Sequence, residues 1–195
     1  MDDLDISAWN GLTNKIIYQV FARNFLKTKV ERESDSDMST VWSRIIFLGY
    51  DRAVQETSYL MVHKKLPVQE RLFRIQLSRD PYCLWCTNAV EQDISHFFIS
   101  CGRVQHLWNY VKDLIYTLLG HRNIDEDNLL KYHWPRSNKD REICWLIGNY
   151  VFIVWDILYR RKSRTNCDSE FFGFLKFKYR EASSMNLVSS IAALQ

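Results

Sequence analysis

The chain has 195 residues, 47% hydrophobic and 14% aromatic, which is enough apolar material for a real core and excludes a disordered chain. With only 6 Gly and 3 Pro it lacks the turn residues an all-β fold needs, so the composition predicts helices. Its 26 basic and 23 acidic residues leave a net charge of +3, too near neutral to demand a nucleic-acid partner on that ground alone.

Residues 1–13 form an acidic lead-in, Met1-Asp-Asp-Leu-Asp-Ile, without the apolar stretch of a signal peptide. From a cap at Asn14, Ile16, Ile17, Val20, Phe21 and Phe25 follow helical spacing to about residue 29. The polar run 31–39 reads as an exposed loop ending in a Ser39 or Thr40 cap. A helix with Val41, Trp42, Ile45, Ile46 and Leu48 follows and stops near Gly49. The next, over about 51–64, turns Val54, Thr57, Ser58 and Met61 to one side. Leu66-Pro67 breaks it, because proline disfavours helical geometry in the residue before it. Pro67 also suits the first turn of the helix after it, which is predicted to bury Val68, Leu72 and Ile75, with Leu77 at its margin. Arg71, Arg74 and Arg79 lie on the other face.

Then comes Cys83-Leu-Trp-Cys86, nine residues, His96, four residues, and Cys101. A CxxC turn lets two thiolates meet one metal ion, and His-x4-Cys, read as the first turn or two of a helix, supplies two more donors. Four N/S donors and no carboxylate are the set expected of one closed, tetrahedral, structural Zn2+. A catalytic zinc keeps one position open for water, so this set predicts scaffolding. His106 is a competing donor, but His96 has the better spacing. Trp85, inside the CxxC, either packs over the knuckle or presents its ring to a base. Cys144 and Cys167 stand alone in helical patterns, a usage expected of a reducing compartment and of small apolar packing.

Val104, Leu107, Trp108, Val111, Leu114, Ile115 and Leu118 mark a strongly amphipathic helix ending at Gly120. A polar connection and a short helix reach Tyr132, and Trp134-Pro135 is another break. The helix over about 139–162 carries Ile143, Leu146, Ile147, Tyr150, Val151, Val154, Trp155 and Leu158 on one broad stripe. Its Asn149 and Asp156 make it read as too short and too polar to span a bilayer, and no membrane is expected. It ends in Arg160, Arg161, Lys162 and Arg164, cations that suit a helix C-terminus. A last helix covers about 169–182, and 183–195 reads as a frayed tail. The expected fold is mainly α. A helical zinc-binding domain over 14–135 holds an inserted CCHC zinc knuckle at 83–101, and a C-terminal helical hairpin over 136–182 packs on it.

Trp42-Ser-Arg-Ile45, then His63-Lys-Lys-Leu66-Pro67-x3-Arg71-Leu72, then Cys83-x2-Cys86, then His96-Phe-Phe-x2-Cys101-x6-Trp108 follow one recognisable order. In this order the chain resembles the zinc-binding domain found C-terminal to the reverse transcriptase of LINE-type (non-LTR) retrotransposons. The resemblance covers roughly residues 14–160 and is most specific from Leu66 to Trp108. Where the family has Glu-Thr or Glu-Glu shortly before the histidine, this chain has Glu91-Gln-Asp93. Its span between Cys86 and His96 is also longer than in a retroviral knuckle. The resemblance implies a module that holds template or target nucleic acid beside a polymerase, in a nuclear or cytoplasmic ribonucleoprotein.

No Asp-Asp pair with the hydrophobic lead-in of two-metal nucleotidyl transfer occurs. The nearest carboxylate clusters, Asp35-Ser-Asp37 and Asp125-Glu-Asp127, read as solvated loop charge. Nor do GxxxxGK[ST], GxSxG or HExxH occur, so no catalysis and no small-molecule substrate are expected. RNA or DNA would be met by gathered cations with aromatic neighbours. The candidates are Lys64, Lys65, Arg71 and Arg74 with Trp85, the run Arg160, Arg161, Lys162, Arg164, and the alternating Lys176, Lys178 and Arg180. Solvated helix faces carry the same residues. The rival reading is an interaction module for a protein partner, marked by a bare apolar patch along Phe171, Phe172, Phe174 and Phe177.

Overall fold

The computed structural model describes residues 35–120, 122–160, 167–188, 191 and 194. The acidic lead-in and the helix expected over 14–29 lie outside the described residues. Asp37–Gln195 forms one compact unit.

The first helix, α1 (Asp35–Phe47), starts four residues before the expected cap, inside the polar run read as a loop. Residues 35–39 are therefore helical where the polar run reads as a loop. A 3₁₀ turn (Leu48–Tyr50) leads to Asp51, whose side chain accepts from the Ala53 and Val54 amides and caps α2 (Arg52–Val62). As the spacing predicts, α2 buries Val54, Thr57, Ser58 and Met61.

The helix after Leu66-Pro67, α3 (Gln69–Arg74), corrects the sequence reading in two ways. Val68 is its N-cap, so Pro67 precedes the helix instead of opening it. Val68 is buried as the spacing predicts and Leu72 is half-buried, but the helix fully buries none of its own residues, and Ile75 and Leu77 are 47% and 74% exposed. The cause is length. The helix ends after six residues, Gln76 takes a positive φ, and Ile75 and Leu77 leave the helical register that would have turned them inward.

The amphipathic helix α4 (Gln105–Leu119) buries Leu107, Trp108, Val111 and Ile115 and stops at Gly120, whose φ of 74° suits glycine. The short α5 (Glu126–Leu130) is capped by Asp125. At the centre lies α6 (Asp140–Trp155), extended as a π-helix over Asp156–Arg160. It packs against α2, α4 and the last helix, α7 (Cys167–Ser184). With three neighbours its buried face is no single stripe: Glu142, Cys144, Trp145, Gly148, Asn149 and Ile153 are buried too. Asp140–Tyr159 is long and apolar enough to cross a membrane, contrary to the sequence reading, but 89% of its apolar 18-residue window is buried inside the fold. Gly148 permits the close approach of α2, since a Cβ there would lie 2.8 Å from Leu48 Cδ1 and 2.9 Å from Val54 Cγ1.

Arg44 of α1 is 4% exposed and reaches across the core. It donates to the Tyr132 carbonyl (3.0 Å) and to Asp140 (3.1 Å), with its guanidinium 3.9 Å from the Trp134 ring centre. This clamp ties the Trp134-Pro135 connection to α1 and to the start of α6.

Candidate metal centre

Between α3 and α4 the backbone doubles back as a narrow antiparallel turn. The Cys83 amide donates to the Val90 carbonyl (2.8 Å), the Gln92 amide donates to the Pro81 carbonyl (2.8 Å), and Tyr82 and Glu91 form an isolated bridge. This pairing holds the CxxC at its tip. The other two donors come from a separate π-turn, His96–Ser100, which precedes α4 and is not its first turn. Residues five apart on an α-helix lie about 140° apart around the axis. The wider i→i+5 bond from the Cys101 amide to the His96 carbonyl (2.8 Å) removes that divergence and sets both ligands on one side.

The Sγ atoms of Cys83, Cys86 and Cys101 and a ring nitrogen of His96 lie within 4.8 Å of one another. Cys83 Sγ is 3.8 Å and Cys86 Sγ 3.9 Å from Cys101 Sγ, and Cys86 Sγ is 3.4 Å from His96 Nε2. With Zn–S near 2.3 Å and Zn–N near 2.0–2.1 Å, a regular tetrahedron has S···S edges of about 3.8 Å and S···N edges of about 3.6 Å. The donor set and its spacing therefore fit zinc. Bound there, the ion cross-links four side chains and has no open position for water or substrate.

The surroundings support that chemistry. With Nε2 facing the sulfurs, His96 Nδ1 is left to meet Ser100 Oγ (3.2 Å), and the Asp93 carboxylate accepts from the His96 amide (2.6 Å). Burial holds the His96 imidazole below its ordinary pKa, with Asp93 opposing, which favours the neutral form a metal needs. Burial also pushes the Cys101 thiol up to about 12, a value that a bound cation would reverse. At Cys83 burial acts in the same direction, but hydrogen bonds from the Trp85 and Cys86 amides and the Gln92 side chain outweigh it and lower the thiol. Cys83, His96 and Cys101 are buried, whereas Cys86 is half-buried beside an open depression lined by Trp85, Thr87, Asn88 and Val90.

The structure keeps the competing histidine away, since His106 is exposed and pairs with Asp168 at 2.8 Å. Trp85 is half-buried and packs edge-on against Phe97 at 5.6 Å, so its ring lies on the knuckle. Lys64 and Lys65 are exposed where the chain leaves α2. Arg71 donates to the Lys64 carbonyl (3.1 Å), and Arg74 pairs with Glu70 one turn away. Arg161, Lys162 and Arg164 lie outside the described residues, as does the side chain of Arg160. Cys144 is 2% exposed, its thiol pushed up to about 12 by burial, in keeping with apolar packing; the Cys167 side chain is outside the description. Of the four phenylalanines read as a possible patch, Phe171 is buried, Phe172 and Phe174 are half-buried, and only Phe177 is exposed. Glu91-Gln-Asp93 stood out from sequence only as a departure from the family pattern, and neither Gln92 nor Ser100 was given a role. Their only signal was position, inside or beside the donor spacing.

Residues 18–108 match the family described as zinc-binding in reverse transcriptase, and all four donors fall inside that match. No curated protein and no solved structure matches the chain. The matched stretch is similar to the zinc-binding modules associated with reverse transcriptase, and its described residues gather three cysteines and a histidine.

Proposed function

We propose that this chain is a non-catalytic module of a LINE-type retrotransposon reverse-transcriptase polyprotein, or a stand-alone derivative of one. In this reading one structural zinc holds the knuckle on the helical domain, and the assembled surface binds RNA or DNA within an intracellular ribonucleoprotein. The observation that carries it is the closed Cys3His cluster inside the stretch that matches the reverse-transcriptase family. The cations this reading calls on are the exposed Lys64 and Lys65 and, on α3, Arg71 and Arg74.

The test is binding of the zinc-loaded protein to structured RNA, single-stranded DNA and duplex DNA, each titrated against salt. Micromolar or tighter affinity with a steep salt slope is expected. Lys64→Glu, Lys65→Glu and Arg71→Glu together should weaken binding and flatten that slope by roughly one unit for each phosphate no longer neutralised. Absence of binding at low salt sinks the nucleic-acid reading.

One observation favours a protein partner as the second reading. Phe73, Ile75, Leu77, Tyr82, Leu84 and Val90 are all exposed, the largest 74%, and lie within one short stretch from α3 to the knuckle. A near-neutral chain that shows such residues has apolar surface to offer a partner. This surface differs from the expected phenylalanine patch on α7.

A further inference from the structure

Gln92 is 3% exposed and lies between the metal cluster and α3. Its Nε2 donates to Cys83 Sγ at 3.3 Å, and its Oε1 accepts from the Gln69 amide at 3.2 Å. Its carbonyl accepts from the Glu70 amide at 3.1 Å, and its own amide donates to Pro81. A thiolate can only accept and a main-chain N–H can only donate, so these two neighbours fix which way the carboxamide points. Few side chains could serve both. Glutamate has no donor for the sulfur, lysine has no acceptor for the amide, and asparagine is one methylene shorter.

What the second hydrogen bond does follows from α3 itself. A six-residue helix is too short to hold itself together, and this one buries none of its residues and gets no side-chain cap from Val68. The free amides of its first turn, those of Gln69 and Glu70, are met by Gln92. Gln92 therefore caps α3 from outside the helix while it holds a metal ligand.

We propose that Gln92 is a positioning residue that couples metal occupancy at Cys83 to the order of α3, and so to the presentation of Arg71 and Arg74. The proposal rests on the zinc reading of the cluster. With Cys83 fixed, the carboxamide is fixed, and the first turn of α3 has a rigid cap. With the cluster empty, Cys83 loses its restraint, and the carboxamide's hold on the Gln69 amide loosens, leaving only the main-chain bond from Glu70.

The test uses the full chain in three forms: wild type, Gln92→Glu and Gln92→Met. The glutamate keeps the acceptor for α3 and removes the donor to sulfur. The methionine keeps the volume, removes both hydrogen bonds and buries no charge, so it remains informative if the glutamate variant does not fold. Affinity is measured by Co2+ titration, followed by the thiolate-to-cobalt absorption band, and by Zn2+ competition against a chromogenic chelator. Hydrogen exchange over residues 69–74 is read with and without Zn2+.

Wild type should bind one equivalent and slow its exchange over 69–74 when loaded. Both variants should bind about 10–100-fold more weakly, the usual effect of losing a residue that orients a ligand. Gln92→Met, loaded at saturating Zn2+, should not regain the slow exchange. Wild type without the thiolate-to-cobalt band overturns the zinc reading and this inference with it. Normal wild-type binding with Gln92→Met within twofold of it overturns this inference alone. So does wild-type exchange over 69–74 that ignores metal.

Discussion

Cys86→Ser removes one metal donor where the substitution disturbs packing least, because Cys86 is half-buried while Cys83 and Cys101 are 7% and 0% exposed. A serine hydroxyl is a poor replacement for a soft thiolate on zinc. The size of the effect follows from linkage: an ion supplied at about 1,000 times its Kd stabilises the fold by about 4.1 kcal/mol. At about 2–4 °C per kcal/mol for a domain of this size, loss of the site should lower Tm by about 8–16 °C. The loss should be felt globally because the knuckle is anchored in the core. Phe97 and Phe98, inside the π-turn, are 1% and 0% exposed. Phe97 lies 5.4 Å from Trp155 between ring centres, and the Tyr150 hydroxyl of α6 donates to the Phe98 carbonyl. The assay is a thermal melt of wild type and variant, with Zn2+ and with a chelator, alongside elemental analysis. Wild type should hold one zinc per chain and melt about 8–16 °C higher when loaded, and the variant should melt alike in both conditions. A variant that keeps one zinc and the wild-type Tm, or a wild type indifferent to the chelator, refutes the reasoning.

Gly148→Ala should lower stability although alanine is the better helix former by about 1 kcal/mol. The new methyl meets Leu48 and Val54, both 0% exposed, and overpacking of this kind costs about 1–3 kcal/mol. A variant that melts above wild type would show that α2 and α6 can separate freely. A pH effect is expected in the metal-free protein. Burial holds His63 and His96 below the ordinary 6.5, with the Lys65 charge adding to it at His63 and Asp93 opposing it at His96. Both therefore bind protons more readily in the unfolded chain, so stability present above 6.5 falls as the pH drops below it. Urea midpoints taken about one unit either side of that value should show the fall, and His63→Gln with His96→Gln should reduce it. An unchanged difference in the double variant would clear both histidines.

The four metal donors were legible in the sequence because their spacing is local: a CxxC turn and a His-x4-Cys segment need little from the rest of the chain. Helix existence was legible for the same reason, as the buried set of α2 and the stop of α4 at Gly120 show. Residues that act by meeting a distant partner were not. Gln92 is one polar residue in a polar stretch until the fold sets Cys83 on one side of it and the first turn of α3 on the other. Arg44 is one arginine in a helix until Tyr132, Trp134 and Asp140 close around it.

Periodicity tells which side of a helix is apolar but not how many neighbours it has or where it ends. For that reason α6 read as one stripe and proved buried nearly all round, and the apolar face expected to run through Ile75 and Leu77 ended early and left both exposed. Sequence alone pointed to the Cys3His cluster and the helical class, because both follow from residue types at short range. Tertiary structure decided which polar side chains support the metal and which apolar ones stay exposed, because burial depends on what the rest of the chain brings alongside.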